Sequence, residues 1–258
     1  MKYVLKYIMM LAAIAAVPAC SIKEDRSSCP CMLTVDFPEA AAKVMMNCWN
    51  QGHRIIDDVL EPDGEKCIRK YHVPKGSCTV SAIKGYEGLE VSGEVLLIPE
   101  GKQMACLYAC ASDVATDGET AEYSVDFKKN YVKVSLCFSD SETGLCPYDL
   151  IVRSNVAGLE MRSLAPVIGT FTCTPEIVDG KGYQFIIPRQ LDETLSIDLM
   201  RGAEIYDTIT LGRIIASSGY DWTAEALADI DLVIDLSKRE ISITVSGWDG
   251  PFSTTITI

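Results

Sequence analysis

The sequence is poor in the side chains on which many enzymes and nucleic-acid binders depend. It has 2 histidines in 258 residues, and 23 basic side chains against 36 acidic ones, for a net charge of −13. So acidic a chain repels phosphate backbones, which argues against nucleic acid as a partner. The hydrophobic fraction of 48% is too high for a disordered chain. A nucleic-acid binder, a histidine-based metalloenzyme and a disordered protein are therefore disfavoured.

The familiar catalytic motifs are also absent. The sequence contains no GxSxG elbow, no HExxH pair and no GxxxxGKS/T phosphate loop. His53 and His72 lie far apart in the chain. Asp57, Asp58 and Glu61 form an acidic cluster without the alternating spacing of a calcium loop, which favours a solvated turn. We expect no enzymatic activity, no cofactor and no metal site.

Near the N-terminus, the apolar run from Ile8 to Val17 is too short to cross a bilayer, which needs about 20 residues. Two lysines precede this run, and small residues follow it before a cysteine. A positive start, a short apolar stretch and a small-residue exit are typical of a secretory signal.

The end of this stretch, Val17–Cys20 (VPAC), resembles a bacterial lipobox, although an ordinary signal peptide with a chance cysteine is the alternative. We predict a lipoprotein signal peptide over residues 1–19 and lipid attachment, including palmitate, at Cys20. Residues 20–28 then form a lipidated tether. Its Lys23–Asp25 segment resembles the surface-export signal of Bacteroidota lipoproteins, or is only part of a solvated tether.

Beyond the tether the dominant hydrophobic period is two, which places alternate side chains on one face of a strand. Asp-Gly pairs suited to tight hairpins punctuate these runs. The alternating residues are Leu33, Val35 and Phe37; Val132, Val134, Leu136 and Phe138; Leu195, Ile197 and Leu199; Ile241, Ile243 and Val245; and Thr254, Ile256 and Ile258. The pattern predicts an all-β protein built of antiparallel β-sandwiches.

Helix is scarce in the predicted structure. We expect three short helices, over residues 39–47, 211–217 and 223–228, as decorations of the β framework. Apolar residues thin out over residues 112–119, which marks a domain boundary. The predicted domains are an N-terminal sandwich over 29–115 and a C-terminal sandwich over 116–258.

Apart from Cys20 the chain has ten cysteines. In a secreted protein they favour disulfides, while buried free thiols and a metal site are the alternatives. Their connectivity cannot be read from the sequence. The ten are Cys29, Cys31, Cys48, Cys67, Cys78, Cys106, Cys110, Cys137, Cys146 and Cys173.

Four stretches carry a family resemblance that spans nearly all of the mature chain. They are CSIKEDRSSCPCMLTVDF (20–37), YHVPKGSCTVSAIKG (71–85), LGRIIASSGYDW (211–222) and DLVIDLSKREISITVSGW (231–248). In this order and spacing the chain resembles the fimbrillin-associated anchor lipoproteins of Bacteroidota. The resemblance implies two tandem transthyretin-like sandwiches held in the outer membrane through Cys20. It also implies a non-enzymatic surface lipoprotein that anchors or terminates a fimbria and pairs with pilin subunits through β-strands.

The sequence leaves two points open. The terminal strand, residues 254–258, is either a pairing element or simply the last strand of the second sandwich, and we favour the latter. The competing function is a surface glycan-binding lipoprotein, for which Trp49, Trp222 and Trp248 are the candidate sugar-stacking residues. Core packing is the more common role for such side chains.

Overall fold

The computed structural model describes residues 29–38, 42–61, 67–247 and 250–257. This part of the chain is almost entirely β-structure, and it contains one short helix. The all-β prediction is confirmed, and the sheets pair mainly in the antiparallel sense. The finer, transthyretin-like description stays a prediction.

The elements alternate in chain order with short turns. The first ten strands are β1 (Cys31–Phe37), β2 (Val44–Asn50), β3 (His53–Leu60), β4 (Cys67–Val73), β5 (Ser77–Lys84), β6 (Glu90–Ser92), β7 (Val95–Leu97), β8 (Tyr108–Ala115), β9 (Thr120–Ser124) and β10 (Lys128–Lys129). The other elements are β11 (Val132–Phe138), β12 (Asp149–Glu160), β13 (Pro166–Cys173), β14 (Glu176–Ile177), β15 (Tyr183–Ile187), β16 (Ser196–Arg201), β17 (Glu204–Ile209), α1 (Leu211–Ser217), β18 (Asp229–Asp235), β19 (Glu240–Gly247) and β20 (Gly250–Thr257).

The N-terminal half forms two facing sheets, ordered β4-β1-β9 and β10-β8-β5-β2-β3. Strand β1 shows the predicted alternation, because Leu33, Val35 and Phe37 are fully buried while the residues between them are partly exposed. These side chains join a core that includes Val80 of β5 and Val73 of β4. The apolar side chains that recur with period two in β1 thus all lie on one face of the strand, and this face is buried in the N-terminal core.

The C-terminal half is built from two larger sheets, ordered β14-β15-β11-β18-β19-β20 and β17-β16-β12-β7-β6, with β13 paired to the outer side of β12. Strand β11 pairs antiparallel with β15 and parallel with β18. Its Val132, Val134, Leu136 and Phe138 lie in the second core, which is the larger of the two.

The strand pairing does not follow the predicted domain boundary between residues 115 and 116. Strand β9 pairs with β1, and β10 pairs with β8, so residues 120–129 complete the sheets of the N-terminal half. In return, β7 pairs with β12 of the C-terminal half. Gly158 of β12 permits this pairing, because a Cβ there would overlap the carbonyl oxygen of Leu96. Each half therefore takes strands from the other side of the expected boundary.

Strand β2 is buried on both of its faces. Met46 and Cys48 point into the N-terminal core, whereas Met45 and Trp49 belong to the core of the C-terminal half. At β2 the five-stranded sheet is thus covered on one side by the N-terminal core and on the other by residues of the second half. An apolar junction of this kind joins the two sandwiches.

Two of the three predicted helices are wrong. Residues 44–47 belong to β2, where pairing with β3 and β5 on both sides overrides the helix propensity of the preceding alanines, and residues 39–41 lie outside the described part of the chain. Residues 223–228 form a turn followed by bends and irregular backbone, and Arg189 holds this segment by donating hydrogen bonds to the carbonyl oxygens of Trp222 and Ala224.

The helix predicted over residues 211–217 is confirmed as α1. Its Leu211, Ile214 and Ile215 are buried in the second core, so the packing of this face stabilises a helix of only 7 residues.

The exchange of strands predicts a stability difference between two paired residues of the β6–β7 hairpin. Leu96 is fully buried in the second core, whereas its cross-strand partner Val91 is 56% exposed. We expect Leu96→Ala to lower the free energy of unfolding by about 2–5 kcal/mol. The control Val91→Ala should change it by about 0.5 kcal/mol or less. Urea unfolding monitored by circular dichroism measures both, and equal effects would contradict the assignment of this hairpin to the second core.

Candidate functional site

The predicted lipid-attachment residue, Cys20, and the tether that follows it lie outside the residues that the structure describes. Within the described ranges, no helix has the length and apolar character needed to span a membrane. The described chain enters its first sheet at β1, which is the strand nearest to the tether.

Strand β1 is enclosed between two neighbours. It pairs antiparallel with β4 over seven residues, from Cys31 opposite Val73 to Phe37 opposite Cys67. On its other side it pairs in parallel with β9, from Met32 to Asp36. Because alternate side chains of β1 also fill the N-terminal core, removal of this strand would open both the sheet and the core.

The sheet edges are the places where a further strand could add, since an edge presents unpaired N–H and C=O groups. Most described edges carry charged side chains, which oppose the approach of another strand. These charged residues are Arg69 and Lys70 on β4, Glu122 on β9, Arg54, Asp57 and Asp58 on β3, Lys128 and Lys129 on β10, Glu90 on β6, Glu204 and Asp207 on β17, and Glu176 on β14.

Two edge strands, β13 and β20, contain no charged residue. The pairing of β13 with β12 shifts register twice, between Ser154 and Val156 and again between Val156 and Gly158. Such irregularities twist a strand and hinder pairing along its free side. Gly101 also forms an isolated bridge with the last residue of β13, Cys173.

Strand β20 is a regular edge. It pairs with β19 without a register shift, from Glu240 opposite Thr257 to Gly247 opposite Gly250. The hydroxyl groups of Ser242 and Thr255 lie 3.0 Å apart across this pair. No described strand lies beyond β20, so its free side is the longest regular, uncharged edge in this part of the molecule. The expectation that the chain ends in the last strand of its own sheet is confirmed for the residues up to Thr257.

The histidines and the acidic cluster do not form a site. His53 and His72 are exposed on strands of different sheets. Asp58 accepts a hydrogen bond of 2.7 Å from the Tyr71 hydroxyl. The pKa of Tyr71 is raised, mainly because the hydroxyl is buried and also because of this hydrogen bond. Glu61 pairs with Lys43 at 3.4 Å. Among the described residues, no group of three or more His, Cys, Asp or Glu side chains could hold a metal ion.

The two tryptophans in the described ranges do not form a sugar-stacking surface. Trp49 is 1% exposed, and its Nε1 donates a 3.4 Å hydrogen bond to Glu94 at the junction of the two sandwiches. Trp222 is partly buried against the Tyr220 ring, with 4.6 Å between ring centroids. Trp248 lies outside the described residues. For Trp49 and Trp222 the packing alternative is the one that the structure supports.

All ten described cysteines are free thiols. Cys48 and Cys78 are buried in the N-terminal core on neighbouring strands, and a hydrogen bond between them together with burial raises the pKa of Cys48. Cys173 is buried in the second core, where desolvation raises its pKa from 9.0 to about 12. Of the three interpretations of the cysteines, the structure supports free thiols, of which five are buried, three are partly buried and two are exposed.

One aromatic pair at the surface, the partly buried Tyr148 and the exposed Tyr206, was not predicted from the sequence. Its two rings are stacked in the C-terminal half. Tyr148 precedes β12 and Tyr206 lies on β17, so no local spacing links them. Only the pairing of both strands with β16 brings them together. The polar-looking segment around Tyr206 could have marked an edge strand, but not its partner.

No known protein family matches the sequence. No curated protein matches it either. Several solved structures from Bacteroidota share its fold, although at low sequence identity.

The fimbrial anchor protein Mfa2 from Porphyromonas gingivalis is 13% identical, with a TM-score of 0.58, covering 85% of this chain and 98% of its own. A candidate polysaccharide-binding protein from Bacteroides thetaiotaomicron is 17% identical, with a TM-score of 0.61 over 88% and 98% of the two chains. A candidate adhesin from the same organism is 12% identical, with a TM-score of 0.57 over 88% and 99%. The chain therefore shares the fold of Bacteroidota fimbrial anchor and adhesin proteins, as the resemblance implied. None of these three proteins is described as an enzyme.

The burial of the thiols predicts their order of reactivity. Cys29 and Cys106 are exposed, whereas Cys173 is buried and its pKa is about 12. At pH 8 the thiolate fraction of Cys173 is lower than that of an ordinary thiol by a factor of about a thousand. We expect iodoacetamide to label Cys29 and Cys106 in the native protein and Cys173 only after unfolding, as followed by peptide mass spectrometry. Rapid native labelling of Cys173 would contradict its placement in the core.

The sign of the accompanying pH dependence follows from the raised pKa of Cys173. A proton held more tightly in the folded state stabilises the fold below the unfolded pKa of 9.0, and this contribution is lost as the pH rises towards about 12. Replacement by serine, which does not ionise in this range, should flatten the alkaline fall in stability.

Proposed function

We propose that this chain is a surface lipoprotein that anchors or terminates a fimbria, with a structural and adhesive role and no catalytic one. It is held in the outer membrane by acyl chains on Cys20 and pairs with a pilin subunit through a β-strand. The observation that carries the proposal is the enclosure of β1 between β4 and β9 in a fold shared with the fimbrial anchor Mfa2.

The enclosed first strand supports termination rather than polymerisation. Subunits that polymerise by strand addition need a place in one subunit where a strand of the next can add. In this chain the first strand is paired on both sides and alternate side chains are buried, so it does not leave such a place. A subunit tethered to the membrane just before this strand cannot be extended from that side.

The free side of β20 is the edge at which we place the single pairing site for the pilin. This edge is regular and uncharged, while the other regular edges carry charged residues. Main-chain hydrogen bonds to an added strand would supply affinity, and side chains of the incoming strand would supply specificity. The tether leads into the N-terminal sandwich, whereas β20 belongs to the C-terminal one, so the two attachments do not compete for one sheet.

Lipid attachment can be tested directly at Cys20. We expect metabolic labelling with a palmitate analogue to be abolished by Cys20→Ala, because the acylated sulfur is then absent, and to be retained by the control Cys29→Ala. The same Cys20→Ala cells should release the protein and their fimbriae into the medium, as followed by membrane fractionation. Labelling that persists in Cys20→Ala would contradict the assignment of Cys20 as the lipidated residue. Lipidation at Cys20 without any effect of its loss on fimbriae would contradict the anchoring role.

The pairing edge can be tested with two adjacent prolines. Neighbouring backbone N–H groups of a strand point to opposite sides, so Thr254→Pro and Thr255→Pro remove one bond to β19 and one outward donor. We expect one variant to lose stability, and the other to fold normally but to lose capture of sheared fimbriae.

Thermal unfolding identifies which variant has lost its bond to β19, so each proline serves as the control for the other. Full capture of fimbriae by the stable variant would show that the outward edge of β20 is not the pairing site.

A further inference from the structure

A pair of stacked tyrosines, one exposed and one partly buried, lies at the surface of the C-terminal half. The ring centroids of Tyr148 and Tyr206 are 4.6 Å apart, and their planes differ by 18°. Tyr206 is 53% exposed, while Leu199 and Ile209 beside it are already buried in the second core. The core is therefore closed without the Tyr206 ring, and its burial does not explain the position of this side chain.

Arg201 holds the two rings in place. Its guanidinium carbon lies 4.5 Å from the ring centroid of Tyr206 and 5.4 Å from that of Tyr148. Its Nη2 also donates a 3.2 Å hydrogen bond to the Tyr148 hydroxyl. Cation–π contacts and this bond restrict the side chains while leaving the surface in contact with solvent. The result is a preorganised aromatic surface, which loses little conformational entropy when a ligand binds.

A groove of about 530 Å³ adjoins the tyrosines. Leu199 and Ile209 form its apolar floor, and Asp207 and Arg239 contribute charged groups at its rim. Arg239 comes from the β18–β19 turn of the facing sheet, so the groove lies where the two sheets of the sandwich meet. Its volume falls within the range of about 300–1,000 Å³ typical of sites for small ligands.

We propose that this groove binds a neutral oligosaccharide, with one pyranose ring stacked on Tyr206. A pyranose presents an apolar C–H face that fits a flat aromatic ring, and a rim of hydroxyl groups that can donate to the Asp207 carboxylate and accept from the Arg239 guanidinium. The charged residues that line the groove, Asp207 and Arg239, are of opposite sign, and Arg201 is engaged with the tyrosine rings. The net charge of −13 on the chain further disfavours a strongly anionic ligand, so a neutral ligand fits best. The proposal is independent of the anchoring role, because it uses neither Cys20 nor β20.

The test uses the full mature chain and saturation-transfer difference NMR with maltohexaose, cellohexaose, mannohexaose and chitohexaose. We expect the wild type to bind at least one of these, and Tyr206→Ala to weaken that binding about tenfold or more. Tyr206→Phe keeps the ring and should retain affinity within about threefold. Ile168→Ala, at a 77% exposed position on β13, is the matched surface control and should bind like the wild type.

Thermal unfolding checks that Tyr206→Ala folds, which an exposed position on an edge strand allows. Absence of binding to all four oligosaccharides at 10 mM would overturn the proposal. Binding that survives Tyr206→Ala, or that is lost equally in Ile168→Ala, would overturn it as well, because either result places the sugar elsewhere. Loss in Tyr206→Ala together with retention in Tyr206→Phe would establish ring stacking as its basis.

Discussion

The burial of strand β2 on both faces is the constraint on which the rest of this structure depends. Strand β2 sends Met46 and Cys48 into one core and Met45 and Trp49 into the other, so neither face of its sheet meets solvent over this stretch. Burial of apolar surface on both sides couples the two sandwiches through a shared layer rather than through a linker alone. The exchanged strands β7 and β9 reinforce this coupling, because each half is incomplete without residues from the other side of residue 115.

A coupled pair of sandwiches suits a protein that bears load between a membrane and a polymer. Force applied at the tether enters at β1, which is hydrogen-bonded on both sides and packed into a core. Force at β20 enters a six-stranded sheet, whose neighbour β19 is paired along its whole length. The proposed anchoring role thus places its two attachments at opposite ends of the sequence, on β1, which is paired on both sides, and on β20, which is paired with β19.

Charge and shape together decide which surfaces remain available. The strongly acidic composition disfavours anionic partners, and charged side chains on most sheet edges disfavour strand addition there. What remains is a regular uncharged edge at β20 and a groove at Tyr148 and Tyr206 where opposite charges lie close together. The two proposed ligands, a protein strand and a neutral sugar, would therefore occupy separate surfaces.

Local patterns in the sequence were sufficient to predict the all-β class, the alternation of β1 and β11, the short helix at Leu211–Ser217 and the membership of the last strand in its own sheet. A period of two or a short apolar helix is visible within ten residues, so these features need no knowledge of distant partners. Contacts between distant segments explain why residues 44–47 form a strand, why Arg189 holds residues 223–228 in a non-helical conformation, and why strands cross the expected boundary. They also explain why Trp49 is buried while Tyr148 and Tyr206 meet at the surface. These outcomes could not be predicted, because neither propensity nor spacing encodes which distant strands will pair.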